Sequence, residues 1–209
     1  DNGNWDTNYP NGVGAVAKFG SVAGTINLTE DISVKLINLI GAGAGNSYTI
    51  SGTNTLTLAN NGGVNAYTVQ VNGANSSIVF DCNVTMNDPN DNPNIIRGVQ
   101  TGGAITFGAG KTLTLTNDDG PLKFSTANSK TITVNFNGTL VGGTANDINT
   151  FARTTLNFAT TYSGDNFLGD MNVGLGNVTP SVVNINGTVK TNNLQLDGNS
   201  NYVNIATTG

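Results

Sequence analysis

The stretch Ser77 to Met86, SIVFDCNVTM, alternates without a break. Ile78, Phe80, Cys82, Val84 and Met86 fall on one side, and Val79, Asp81, Asn83 and Thr85 on the other. Side chains of a strand point to opposite faces with a period of two, so this pattern predicts a strand with one dry face and one mostly wet face. Shorter copies recur along the chain at intervals of roughly eight to ten residues, separated by Gly, Asn and Asp.

Before this strand, the same pattern predicts strands over 25–28, 32–40, 48–50, 55–58 and 67–71. Turns fall between them at 41–45 (GAGAG), 51–54 (SGTN), 59–63 (ANNGG) and 72–76 (NGANS). After it, strand character returns over 104–107, 112–116, 122–124 and 131–136. A looser segment, 142–153, then precedes strands over 155–158, 171–175, 182–185, 193–196 and 202–205. Nowhere do apolar residues persist at i, i+3, i+4 and i+7 over eleven residues, so no helix is predicted.

Composition supports an ordered all-β chain. Of 209 residues, 37% are hydrophobic and only 10% charged, whereas disordered chains combine high charge with low hydrophobicity. The 35 asparagines, with abundant Thr, Ser and Gly, suit strand faces and turns better than helices. The length fits a single domain, 1–209, in which residues 1–20 read as an N-terminal cap and Trp5 and Tyr9 as a cover for the end of the core. The net charge is −5 and the 8 basic residues are scattered, so the footprint of a nucleic-acid binder is absent. No apolar run is long enough to span a bilayer, and the start at Asp1 carries no signal-peptide pattern, which reads as a processed or excised segment. The single cysteine, Cys82, sits on the apolar side of its strand and reads as a small buried hydrophobe.

Many short strands fit a β-sandwich or jelly roll as well as a solenoid, and the Asn-Gly pairs at Asn11, Asn61, Asn72, Asn137 and Asn186 suit the hairpins of the former. Thr and Asn facing outward, apolar residues inward, and two or three strands in every window of about 20–25 residues favour a parallel β-helix. That spacing predicts roughly eight to ten coils.

Several segments also carry a resemblance. GNW (3–5), PNGVGAVAKF (10–19), TINL (25–28), YTISGTNTLTL (48–58) and AITFGAGKTLTLTN (104–117) together resemble the autotransporter-associated β-strand repeat. NFNGTLVGG (135–143) and VVNINGTV (182–189) are similar in style to rickettsial-type surface antigens. The resemblance covers about residues 1–117 and implies a right-handed parallel β-helix, the passenger of a bacterial surface protein, displayed outside the cell. It departs from that family in having the Trp-containing unit once and no C-terminal β-barrel translocator. It brings no shared catalytic residues.

The chemistry-bearing candidates are few. Asp88, Asn90, Asp91 and Asn92, beside Asn87, group two carboxylates with amide carbonyls, hard oxygen donors of the kind Ca²⁺ prefers, although the EF-hand pattern is absent. An ordinary solvated turn is the competing reading. Asp118 and Asp119 read as turn residues before Gly120 and Pro121. A carboxylate pair acting on polysaccharides, with Lys111, Lys123 or Arg97 nearby in sequence, is the enzymatic alternative; without His, no orthodox base activates a Ser or Thr. Thr55-x-Thr57, Thr112-x-Thr114-x-Thr116 and Thr131-x-Thr133 raise an ice-binding alternative if they stack on one face. The expectation is therefore a non-enzymatic extracellular scaffold, mechanical or adhesive, without cofactor apart from possible Ca²⁺. Its expected partners are copies of itself, the rest of a larger surface protein, or host and cell-surface glycans. The strand-like tail YVNIATTG carries no helix or charge to cover a last coil, which predicts end-to-end association.

Overall fold

The computed structural model describes residues 9–20, 22–40, 45–59, 66–88, 93–116, 120–151, 153–159, 161–162, 168–175, 180–198 and 200–206. Among them there is no helix, and every strand pair is parallel. Parallel pairs rule out a sandwich or jelly roll, which are built from antiparallel strands. The chain is a β-solenoid.

The rungs follow in chain order. The first carries β1 (Val16–Phe19), β2 (Gly24–Asn27) and β3 (Ile32–Val34), and the second β4 (Leu36–Leu39) and the long β5 (Ser47–Ala59). The third holds β6 (Val69–Val71) and β7 (Ser77–Asn87). Next come β8 (Asn94–Gly98), β9 (Gly103–Phe107) and β10 (Thr112–Leu115), then β11 (Leu122–Thr126), β12 (Ile132–Phe136) and β13 (Thr139–Val141). The sixth carries β14 (Ile148–Thr150), β15 (Thr154–Phe158) and β16 (Thr161–Tyr162). The last two have β17 (Met171–Val173) with β18 (Val182–Ile185), and β19 (Leu194–Leu196) with β20 (Tyr202–Ile205).

These strands form two sheets. One stacks β1, β4, β6, β8, β11, β14, β17 and β19. The other is joined at β7, which pairs with β5 on one side and with both β9 and β10 on the other. The stretch that reads most plainly in the sequence is thus the strand that holds two halves of a sheet together. It spans 11 residues and contains no glycine. The later rungs bend at Gly108 to Gly110 and at Asn137-Gly138, and there the second sheet divides into β9/β10 and β12/β13.

The inward side chains stack in register. Ile78, Phe80, Cys82, Val84 and Met86 are all 1% exposed or less, as the alternation predicts. Phe80, Phe107, Phe136 and Phe158 form one column, with ring centroids 5.2, 5.2 and 4.7 Å apart and near-parallel planes. Adjacent strands lie about 4.8 Å apart, so identical aromatic residues on successive rungs meet at a stacking distance. Phe124 closes the column from the opposite sheet, edge-on to Phe136 at 6.0 Å.

Several expectations are corrected. The predicted eight to ten coils are not matched: about five turns, β4 to β16, run through the first sheet and both parts of the second. Among the described residues, the β1–β3 turn has strand partners on one side only, and the last two rungs show no third strand. Connecting arcs also run longer than the assumed window, since Ile37 pairs with Val69, 32 residues on. SGTN at 51–54 is not a turn but an irregularity inside β5, where the register against β7 shifts between Ser51 and Thr55. Gly52 sits there with φ +140°, and a Cβ would meet Leu28 O at 2.8 Å. The predicted strand 32–40 breaks at Lys35, whose N–H bonds Ala15 O on the preceding rung. The looser segment 142–153 contains β14, and β8 was not anticipated. Of the proposed cap, Val16–Phe19 is a paired strand, and Trp5 lies outside the described residues.

Candidate functional site

Most of the apolar residues are in the core, so the chemistry of the outer faces rests with the polar ones. Asn135, Asn157, Asn184 and Asn204 occupy one column on the outer face, and the amide nitrogens of the last three each donate to the side-chain carbonyl of the asparagine on the preceding rung at 2.7 Å. The ladder begins on Thr106, whose hydroxyl accepts from Asn135 Nδ2 at 3.1 Å. Asn172 repeats the arrangement on Asn149 at 2.8 Å in the other sheet. Parallel, in-register strands make such amide ladders possible because every residue faces its equivalent.

A second group braces the corners. Asn11, Asp31, Asn83 and Asp147 each offer Oδ1 to a backbone N–H of the next rung, those of Ser33, Thr55, Thr112 and Asp170, at 2.8–3.0 Å. Asn201 does the same for Ser181 on the rung before, at 2.7 Å. Asp and Asn at turns thus satisfy backbone donors where the sheet ladder is interrupted. Replacing Asn157 by Ala removes two ladder bonds and is expected to cost about 1–2 kcal/mol, read from the urea midpoint.

Of the sequence-derived calcium candidates, Asp88 alone lies among the described residues. Asp88 is buried just past the end of β7, whereas Asn90, Asp91 and Asn92, like Asp118 and Asp119, lie outside the described residues. Among the described residues no three His, Cys, Asp or Glu side chains come together. Lys111 lies 3.7 Å from Asp81, a carboxylate 52% exposed, which makes a weak surface pair. Arg97 and Lys123 are on the other sheet, in β8 and β11. The Arg97 guanidinium lies 4.7 Å from the centroid of the Tyr67 ring and donates to the Tyr67 hydroxyl. The threonine strings divide: Thr55 and Thr57 share two columns with Thr112 and Thr114, through Asn83 and Thr85 of β7, while Thr131 and Thr133 belong to the β12 side of the sheet.

Cys82 is buried under β7, and burial pushes its thiol up to about 12, with Lys111 opposing slightly. The folded thiol therefore stays protonated while the unfolded one ionises from about pH 9. The unfolded state then binds fewer protons, so this contribution to stability is full below pH 9 and is lost progressively between 9 and 12. The stability gap between the wild-type chain and Cys82→Ala is expected to narrow from pH 8 to 10.5. A thiol reagent at pH 8 is expected to label Cys82 only in denaturant.

A cavity lies at the N-terminal end of the core. It has a volume of about 390 Å³ and is lined by Phe19, Ile26, Leu28, Ile32, Ile37 and Ile50. Tyr9 and Glu30 meet at its rim, where the phenol donates to the carboxylate; that bond holds the Tyr9 proton on. Sequence reading missed this feature because the cavity lies among residues of the first rungs, and only their stacking brings these together.

The class that this geometry defines is the parallel β-solenoid. No protein-family model, curated protein or solved structure matches the chain.

Proposed function

We propose that the chain is an extracellular structural and adhesive scaffold of a bacterial surface protein, coiled in a right-handed sense and working as a rod that extends from or links cells. The observation that carries this reading is the continuity of the two sheets, whose polar side chains are spent on amide ladders and corner braces along one axis. Such a rod resists shear through many parallel backbone bonds, and its outward Asn and Thr surface stays hydrated. The resemblance of residues 1–117 to autotransporter passengers supports display outside the cell. Antibodies against the purified chain are expected to stain intact cells of the source organism, and external protease is expected to remove the signal. Staining that appears only after lysis would overturn the reading. A rise in melting temperature with CaCl₂ or a glycan would instead favour a binding module, because a ligand held only by the native state stabilises it.

A further inference from the structure

An asparagine followed by glycine carries a reaction of its own. The glycine amide nitrogen, once deprotonated, attacks the side-chain carbonyl carbon of the asparagine: an N–Cγ bond forms, the Cγ–Nδ2 bond breaks, and ammonia leaves. The five-membered imide so formed takes up water at either of its carbonyls and opens to aspartate or isoaspartate, with one added negative charge. Glycine permits the ring because no Cβ crowds its nitrogen. The fold decides which pairs react, since the nitrogen must be free and the side chain must be able to turn toward it.

The chain has six Asn-Gly pairs, of which Asn2-Gly3 and Asn61-Gly62 lie outside the described residues. Two of the other four are tied down. The Gly12 N–H donates to Ser33 O at 2.7 Å, and Asn11 Oδ1 accepts from Ser33 N–H at 3.0 Å. The Asn72 side chain donates to Asn38 Oδ1 at 2.7 Å, its backbone N–H to Leu39 O at 2.9 Å, and Gly73 is buried. Asn137 and Asn186 differ: they follow Phe136 and Ile185 of one stacked column, and both are exposed. Among the described residues, neither their side chains nor the N–H groups of Gly138 and Gly187 have a hydrogen-bond partner.

Packing separates these last two. Gly138 is seated on the rung beneath, where a Cβ would come to 2.5 Å from Gly108 O, and the next N–H, of Thr139, is held by Lys111 O at 2.8 Å. Asn137 is thus clamped. At Asn186 the bond from its own N–H to Phe158 O, 2.7 Å long, precedes the reacting pair, and Gly187 beyond it is exposed. We propose that Asn186-Gly187 is a site of spontaneous deamidation in the folded chain, with water as co-reactant and aspartate and isoaspartate as products, while the fold protects Asn11-Gly12 and Asn72-Gly73. Each conversion sets a carboxylate two residues beyond Asn184, a member of the amide ladder.

The test incubates the 209-residue chain in mildly alkaline buffer, folded and in guanidinium chloride, and follows each pair by peptide-resolved mass spectrometry. An isoaspartate-specific methyltransferase is the second readout. In denaturant all pairs are expected to convert at similar rates. In the folded chain Asn186 is expected to stay close to that rate, while Asn11 and Asn72 fall behind by roughly tenfold, the factor that a retained hydrogen bond supplies. The Asn186 rate is expected to rise with pH, because the attacking nitrogen must lose its proton. Gly187→Ala is expected to slow the conversion, and Asn186→Gln to silence it, since a longer side chain cannot close the five-membered ring. A folded chain in which Asn186 converts as slowly as Asn11 and Asn72 overturns the proposal. Equal, unprotected conversion of all these pairs overturns it too, because the fold would then select none of them.

Discussion

Phe136→Ala is expected to destabilise the solenoid by about 3–5 kcal/mol, lowering the melting temperature on the order of 10 °C. Phe136 is 1% exposed and touches three other rings: Phe107 and Phe158 above and below, and Phe124 from the facing sheet. Truncation removes the buried ring area and leaves a gap that in-register neighbours cannot close, because each is held on its own rung by sheet hydrogen bonds. Thr133→Ala, three residues earlier on the outer face of β12, is expected to stay within about 0.5 kcal/mol. Thermal melting of the two variants side by side separates a core built from this column from one merely hydrophobic on average.

Gly138→Val is the second large effect. A Cβ at Gly138 would lie within 2.5 Å of Gly108 O and still nearer Lys111 O, both backbone atoms of the rung before. Backbone cannot rotate aside as a side chain can, so the β12–β13 corner must lift from the one beneath it. That lift strains the Thr139 N–H to Lys111 O bond, 2.8 Å long, and the pairing of β13 with β10. A loss of about 3 kcal/mol or more is expected. Gly20→Ala is the control: a Cβ there meets nothing within 4 Å, and the denaturation midpoint should not move.

What the sequence discloses follows from where burial is one-sided. β7, β9 and β12 bury alternate residues, so a period of two exposes them. β8 and β14 do not: Asn94, Ile95 and Ile96 are all buried, as are Ile148, Asn149 and Thr150, so no alternation exists to be read. The irregularity at Ser51 to Asn54 looks like a turn because Gly and Asn serve both purposes; only the pairing of β5 with β7 on both sides of it tells them apart. The ladder of Asn135, Asn157, Asn184 and Asn204 is hidden for a different reason. Its members lie 22, 27 and 20 residues apart, so no fixed repeat exposes them. Of the proposed calcium loop, Asp88 is buried at a strand end, while Asn90, Asp91 and Asn92 lie outside the described residues.

The central claim is that equivalent residues stack rung upon rung along one axis. Spin labels on the outer column of the second sheet test it directly, in dilute solution, by pulsed dipolar distance measurement. Thr106 and Asn204 are four rungs apart, and Thr49 and Asn204 six. At about 4.8 Å per strand the account predicts roughly 19 and 29 Å, a linear increase with rung number. Distances that fail to grow by about 10 Å between the two pairs would contradict the solenoid.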